Sequence, residues 1–254
     1  MNLREKLLSG QKIVGCMLRV VRNPAMVLIA KHAGLDFIMY DCEHSTYTPT
    51  DLHDCFILAN SVGIGGFFRA SAFGKDNISR IMDAGASGVM TPMTQTVEEA
   101  KDLVKWSKYE PVGERGYGSG VAPVEYRSGL GPKEQMAYGN SRNISIAQIE
   151  SKMGVDNAEA IAAIEGVDVL FIGPNDLSIT LGIPGDFDNP IEVEAIKHVA
   201  AACKKHKKVF GMSAGVKMLK KYIDDLGMLI SEGDLLILKR GFKESNDSMR
   251  ALFQ

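Results

Sequence analysis

The sequence predicts an α/β chain folded as a (β/α)8 TIM barrel, and three observations carry that expectation. Short runs of strand-forming residues alternate with helically periodic segments almost from end to end, eight of each can be placed, and the length is 254 residues. A closed barrel needs about 250 residues, so one domain spanning 1–254 accounts for the whole alternation. An open doubly wound sheet would carry a Gly-rich phosphate turn after its first strand, and Val14-Gly15-Cys16-Met17 is no such turn.

The strands are expected at 13–18, 37–41, 65–70, 88–93, 144–150, 167–173, 208–213 and 234–239. Helices are expected between them at 24–33, 50–62, 76–84, 97–108, 157–164, 190–206 and 216–226, with a last one near 243–253. Helix starts carry capping chemistry in Pro49-Thr50-Asp51 and Asp188-Asn189-Pro190. Stops are marked by glycine in Ala33-Gly34, Val62-Gly63, Ala84-Gly85 and Leu226-Gly227. One connection breaks the rhythm. Residues 109–143 are rich in Gly, Pro, Ser and Tyr and too long for an ordinary linker. That excursion has three readings: a return across a barrel end, packing against a partner subunit, or a mobile loop.

Composition narrows the partners. A formal charge of -2 and the absence of basic blocks give nucleic acid little to hold, which leaves small molecules. Cys16, Cys42, Cys55 and Cys203 lack CxxC spacing and sit in or beside apolar segments, as reduced thiols of a cytoplasmic protein would. The amino terminus, MNLREKLLSGQK, has no signal-peptide core, and no apolar run is long enough to span a membrane.

The chemistry is expected where strands end, because barrels of this kind build their active sites at the carboxy-terminal ends of their strands. The fifth strand runs into Glu150, and the sixth turns through Gly173, Pro174 and Asn175 into Asp176. Two carboxylates meeting at one barrel mouth suit a hard divalent cation. Period-two alternation points Gln148 to the same side as Glu150. Asp176 alone would also serve as a helix cap.

The second strand ends in Asp41 and continues into Cys42-Glu43-His44. Asp41 could orient His44 as a general base near neutral pH. The third strand ends in Arg69, whose fork suits a carboxylate or oxyanion, or else an ion pair across the mouth to Glu43 or Glu150. Lys239, placed at the end of the last strand, is read as structural rather than as a Schiff-base nucleophile.

Taken in order, Asp41-Cys42-Glu43-His44, Arg69, Arg115-Gly116-Tyr117-Gly118, Gln148-Ile149-Glu150 and the segment 171–178 resemble the HpcH/HpaI family of metal-dependent (class II) pyruvate aldolases, from about residue 7 to 235. The resemblance implies a TIM barrel of the phosphoenolpyruvate/pyruvate-utilising type. It implies a lyase that reversibly cleaves a 4-hydroxy-2-oxo acid to pyruvate and an aldehyde through a metal-stabilised pyruvate enolate. In that reading Glu150 and Asp176 hold Mg2+, Mn2+ or Co2+, Arg69 meets the enolate charge, and His44 with Asp41 forms the acid/base dyad. Gln148 supports the site, and backbone amides at Asn175 and Asp176 hold the pyruvate carboxylate.

Three substrate-side positions depart from well-known members. Met17 stands where they have a tryptophan, Asn175 replaces a small residue, and Ser213 stands where a leucine lines the site. A homo-trimer or homo-hexamer with an exchanged carboxy-terminal helix is also implied. The competing functions are another metal-enolate enzyme, such as an acyl-CoA lyase or an oxaloacetate decarboxylase, and a non-catalytic binding barrel.

Overall fold

A computed structural model describes residues 1–253. Eight parallel strands close into one barrel in sequence order: β1 (Ile13–Leu18), β2 (Phe37–Asp41), β3 (Gly65–Arg69), β4 (Gly88–Thr91), β5 (Ile144–Ile149), β6 (Val169–Ile172), β7 (Val209–Ser213) and β8 (Leu226–Gly233). The outer layer comprises α2 (Ala25–His32), α3 (Pro49–Val62), α4 (Lys75–Asp83), α5 (Val97–Ser107), the short pair α7 (Lys152–Asp156) and α8 (Ala158–Ala162), α9 (Pro174–Thr180), α10 (Pro190–His206) and α11 (Val216–Leu219). Added to these are α1 (Leu3–Leu8), α6 (Pro132–Arg142) and the final α12 (Asp234–Arg250). No helix among the described residues is long and apolar enough to cross a membrane.

Local chemistry explains the expected helices. At α3, Thr48 and Asp51 form a reciprocal capping box, Pro49 supplies a preset φ at the first position, and Gly63 closes the helix at φ 71, where a side chain would be strained. At α10, the Asn189 side chain accepts from the Ile191 amide ahead of Pro190.

Alternation along the strands divides the core in two. Ile13, Met17, Phe37, Met39, Phe67, Met90, Ile144, Ile146, Val169, Phe171, Met228 and Ile230 form one buried cluster, while the residues between them pack outward under the helices in another. Leu7 of α1 joins the first cluster and closes the amino-terminal opening. The interior fits large against small. A Cβ on Gly211 would lie 2.4 Å from the Phe171 ring, so only glycine leaves room for that ring.

The last unit corrects the sequence reading. The eighth strand is Leu226–Gly233, not 234–239, and the apolar run from Asp234 onward is helix α12. Gly227 had the look of a helix stop, yet it lies within the strand, where a Cβ would come within 2.8 Å of Val209. The run Leu235-Leu236-Ile237-Leu238 is as apolar as a buried strand, but in α12 its side chains are largely exposed. The expected helix at 216–226 is reduced to α11 and one 3-10 turn, and that at 157–164 is α8 alone, preceded by the short helix α7. Lys239 is therefore an exposed helical residue and ends no strand.

The 109–143 excursion connects α5 to β5, so it belongs to the amino-terminal end of the barrel. Ser141 accepts a hydrogen bond from Asn2 at 3.4 Å, Arg115 pairs with Asp83, and Ala122 faces Gly85 just before β4. It contains helix α6 and does not cover its own barrel mouth.

Candidate active site

At the carboxy-terminal end of the barrel the apolar interior gives way to charge. Asp41 and Arg69 are the last residues of β2 and β3 and face one another in register. Arg69 donates from Nε to Asp41 Oδ1 at 2.9 Å and from Nη2 to Oδ2 at 2.6 Å, a bidentate pair with both side chains buried. Arg19, just beyond β1, adds a 2.6 Å bond from its Nε to Asp41 Oδ2. Burial pushes the Asp41 carboxyl up, but Arg69 and then Arg19 outweigh it and hold the group below the usual carboxylate range. The same guanidinium of Arg69 reaches Glu43 Oε2 at 3.0 Å and Gln148 Oε1 at 3.5 Å, which ties three strand ends together.

Glu150 follows β5 directly and is almost wholly buried. Its Oε1 accepts from the Met93 backbone amide at 2.8 Å, whereas Oε2 has no hydrogen-bond partner among the described residues. Burial is the main reason its carboxyl is pushed up to about 7, and the carboxylates of Asp176 and Glu43 add to the effect. Met93 delivers its amide from a strained φ of 45, just past β4. Gly173 makes the opposite wall, where a Cβ would sit 2.2 Å from Glu150 Oε2 and 2.7 Å from Gln148 Nε2. The chain must therefore be glycine at this point, and it turns there into α9, which carries Asp176 in its first turn.

A buried carboxylate with one unpartnered oxygen, beside a second carboxylate, is a poor arrangement for an empty protein and a good one for a cation. Among the described residues no group of three or more His, Cys, Asp or Glu side chains could hold a metal. A divalent ion at Glu150 and Asp176 would take two protein carboxylates and complete its shell with water and substrate oxygens, which is the habit of Mg2+. The donor set fits such an ion.

His44 stands differently from expectation. The Asp41 carboxylate reaches it only through the backbone, accepting from the amides of Glu43 at 3.2 Å and His44 at 3.3 Å. The Asp41 side chain is turned to Arg69 and Arg19 because two guanidinium groups outcompete an imidazole for one carboxylate. The His44 ring is 55% exposed at the mouth, and its nearest acid is Glu43, with Oε2 3.7 Å from Nε2. Among the described residues, the side-chain dyad expected of Asp41 and His44 is thus not made.

The substrate-side positions separate. Met17 is buried in the barrel interior at the top of β1, against Gly233. Asn175 and Ser213 share the wall of a cavity of about 360 Å3 between the loops that follow β6 and β7. Sequence reasoning missed Arg19, the Met93 amide and Asp234. Arg19 had a visible signal, a charge at a strand end like the others. The Met93 contact uses backbone alone, so no residue type could disclose it. Asp234 was hidden by the misplaced last strand. Its buried carboxylate accepts from the amides of Arg19, Val20 and Val21 at 3.0, 2.9 and 2.8 Å and so fixes the loop that aims Arg19 at Asp41.

Comparison with known proteins agrees with this geometry over nearly the whole chain. The family model described as HpcH/HpaI aldolase/citrate lyase matches residues 17–230, which contain Arg19, Asp41, Arg69, Gln148, Glu150 and Asp176. A 5-keto-4-deoxy-D-glucarate aldolase of Klebsiella pneumoniae is 32% identical over 98% of this chain and 96% of its own length. A 2-keto-3-deoxy-L-rhamnonate aldolase of the same organism is 31% identical over 78% of this chain and 74% of its own. The crystal structure of an HpcH/HpaI aldolase from Desulfitobacterium hafniense superposes with a TM-score of 0.92 at 30% identity, covering 98% of this chain and 97% of that one. With the barrel, its charged mouth and these relatives in agreement, the chain belongs to the HpcH/HpaI aldolase/citrate lyase family.

Proposed function

We propose that the protein is a divalent-metal-dependent aldolase, a carbon-carbon lyase that reversibly cleaves a 4-hydroxy-2-oxo acid to pyruvate and an aldehyde. The observation that carries this reading is the unpartnered Oε2 of buried Glu150, held against Gly173 and close to Asp176. Family membership supports the aldolase chemistry over an acyl-CoA lyase, a decarboxylase or a non-catalytic barrel. Mg2+, Mn2+ or Co2+ bound by Glu150 and Asp176 would supply Lewis acidity to the 2-keto oxygen and the neighbouring carboxylate.

In cleavage the C3–C4 bond breaks, the 4-hydroxyl gives up its proton as the aldehyde forms, and the electron pair passes to the pyruvate enolate, which takes a proton at C3. Arg69 stands at the mouth, buried and fixed by Asp41, where its positive charge can stabilise negative charge developing on the substrate oxygen. Asp41 acts by holding that guanidinium in one orientation. Gln148 holds the Nη1 edge of Arg69 at 3.5 Å and packs beside Gly173. His44, exposed at the same mouth with Glu43 beside its ring, is placed to exchange a proton with the substrate directly or through water. Backbone amides at Asn175 and Asp176 take the pyruvate carboxylate, as the resemblance implies.

The assembly reading rests on α12. Its apolar side chains stand in the open, with Phe242 at 72% and Phe253, just past its end, at 85% exposure, and it packs chiefly against β1 and β8. A surface of this kind calls for a partner. We assign it to a second copy of the chain, in a homo-trimer or homo-hexamer with the helix exchanged, and light scattering of the purified protein measures the number. The four cysteines are free, three of them buried, as suits the cytoplasm.

The catalytic reading is tested by loading the protein with Mg2+ or Mn2+ in heavy water, adding pyruvate, and following the methyl proton signal. Exchange that a chelator abolishes is expected. Exchange no faster than background, or exchange indifferent to the chelator, would falsify the metal-assisted enolisation.

A further inference from the structure

Arg19 reaches into the mouth from a loop that is itself pinned on two sides. The buried carboxylate of Asp234, at the start of α12, accepts from the amides of Arg19, Val20 and Val21, and the Tyr47 hydroxyl donates to the Val21 carbonyl at 2.8 Å. Gly233 lets α12 begin so near, since a Cβ there would lie 3.0 Å from the Met17 carbonyl. From this fixed base the Arg19 side chain gives Nε to Asp41 Oδ2 at 2.6 Å, the oxygen that also takes Arg69 Nη2 at 2.6 Å. Asp41 Oδ1 accepts from Arg69 Nε and from the amides of Glu43 and His44. A carboxylate bonded on every side cannot turn, and its plane sets the plane of the Arg69 fork.

Charge makes a second case for Arg19. Arg69 faces both Asp41 and Glu43, so by itself its single positive charge meets two negative ones before any substrate arrives. Arg19 supplies the second cation and brings the group to neutrality. We propose that Arg19 is a positioning residue for the reaction, acting through Asp41 to keep Arg69 oriented and electropositive toward the enolate. The inference rests on the aldolase reading above, because that reading gives Arg69 a developing charge to meet. The Arg19 side chain is 44% exposed, so its replacement opens no hole in the core.

The first measurement needs neither metal nor substrate. In protein labelled with 15N-arginine, the Arg69 Nε–H signal in NMR is assigned by its absence from Arg69→Lys. Its exchange with water reports how often the pair with Asp41 opens. Exchange should be roughly tenfold faster in Arg19→Met than in wild type, and Arg19→Lys, which keeps the charge, should stay closer to wild type. The second measurement follows deuterium entering the pyruvate methyl group on the Mg2+-loaded enzyme. Arg19→Met should lower kcat roughly tenfold while moving the pyruvate KM by about twofold at most. In an Arg69→Lys background the same replacement should cost little more, since the fork that Arg19 steadies is already gone.

Unchanged exchange of the Arg69 proton in Arg19→Met overturns the proposal. A loss of kcat that persists in full beside Arg69→Lys also overturns it, by placing Arg19 on the substrate itself. So does a rise in turnover, which would mean that Arg19 keeps Asp41 from His44. Absence of methyl exchange in wild type would instead count against the aldolase reading, and the proton-exchange measurement would still decide whether Arg19 holds Arg69.

Discussion

The two ends of this barrel both bury charge, and they treat it in opposite ways. At the amino-terminal end, buried Asp168 receives Arg4 Nε and Nη2 on Oδ1, at 3.2 and 2.7 Å, and Lys108 Nζ and the Ser145 amide on Oδ2, both at 3.0 Å. Lys108 also donates to the Asn143 carbonyl. Burial drives the Lys108 ammonium down to about 8, yet Asp168, facing it, stays below the ordinary carboxylate range. At the carboxy-terminal end, among the described residues, Glu150 keeps one oxygen without a donor, and the side chains of Lys217, Asn175 and Ser213 line a cavity without a hydrogen bond. A closed network ties helix to strand. An open one leaves valences for a ligand.

That contrast predicts opposite outcomes for similar substitutions. Asp168→Ala leaves buried Lys108 and half-buried Arg4 without their acid, and chemical denaturation should show a loss of about 3–5 kcal/mol. Glu150→Gln removes a buried charge that has no cationic partner of its own, so the metal-free protein should be as stable as wild type or more so. The same variant should bind Mn2+ on the order of 100-fold more weakly in a calorimetric titration, because an amide is a poor ligand for a hard cation. If Glu150→Gln cost as much stability as Asp168→Ala, the distinction between the two ends would collapse.

Arg69 sharpens the comparison because one edge is locked in a bidentate pair while the other makes single contacts at the mouth. Its Nε and Nη2 are committed to Asp41, while Nη1 faces Glu43 and Gln148 at the mouth. Arg69→Lys keeps the charge but loses the fork. Turnover should fall by roughly 100-fold to 1,000-fold with a smaller change in pyruvate KM, as steady-state kinetics would show, because orientation toward developing charge matters more than ground-state binding. A variant that altered KM alone would make Arg69 a binding group only.

The closed parts of the molecule were the more legible ones in the sequence. Strands β1 and β2 fall where alternation and apolar runs place them, and α3 and α10 start at Thr48-Pro49 and Asn189-Pro190 because capping is local chemistry. The last strand was misread because Leu235, Leu236 and Ile237 form an apolar run like a buried strand's, yet they stand exposed on α12. At the mouth, residue types revealed Glu150, Asp176, Asp41 and Arg69, since charge at a strand end stands out. Their pairing was hidden: which base Asp41 faces depends on Arg19 and Arg69 arriving from neighbouring strands, and the Met93 amide reaches Glu150 from a positive-φ turn with no sequence signature.

Glu192 offers the subtlest break in the rule, because it is an open valence away from the mouth. It lies in the first turn of α10, wholly buried, and among the described residues neither oxygen has a hydrogen-bond partner, nor does the hydroxyl of nearby Tyr222. Burial first, and then Asp186, pushes its carboxyl from 4.5 up to about 7, while Lys221 opposes the shift. A raised carboxyl pKa means that the folded state holds its proton after the unfolded chain has released it. Below about pH 4.5 both states are protonated and there is no penalty. Between about 4.5 and 7 the unfolded chain alone ionises, so stability falls as pH rises, and above 7 the whole cost is present. Glu192→Gln should therefore gain about 1–3 kcal/mol over wild type at pH 8, and the gain should vanish near pH 4. Denaturation of both proteins across that range decides it. A gain independent of pH would assign the effect to packing, and no gain at pH 8 would mean that the buried carboxylate has a compensating partner. The expected result would show that an unsatisfied group marks a site only where, as at Glu150, a second ligand and an opening to solvent stand beside it.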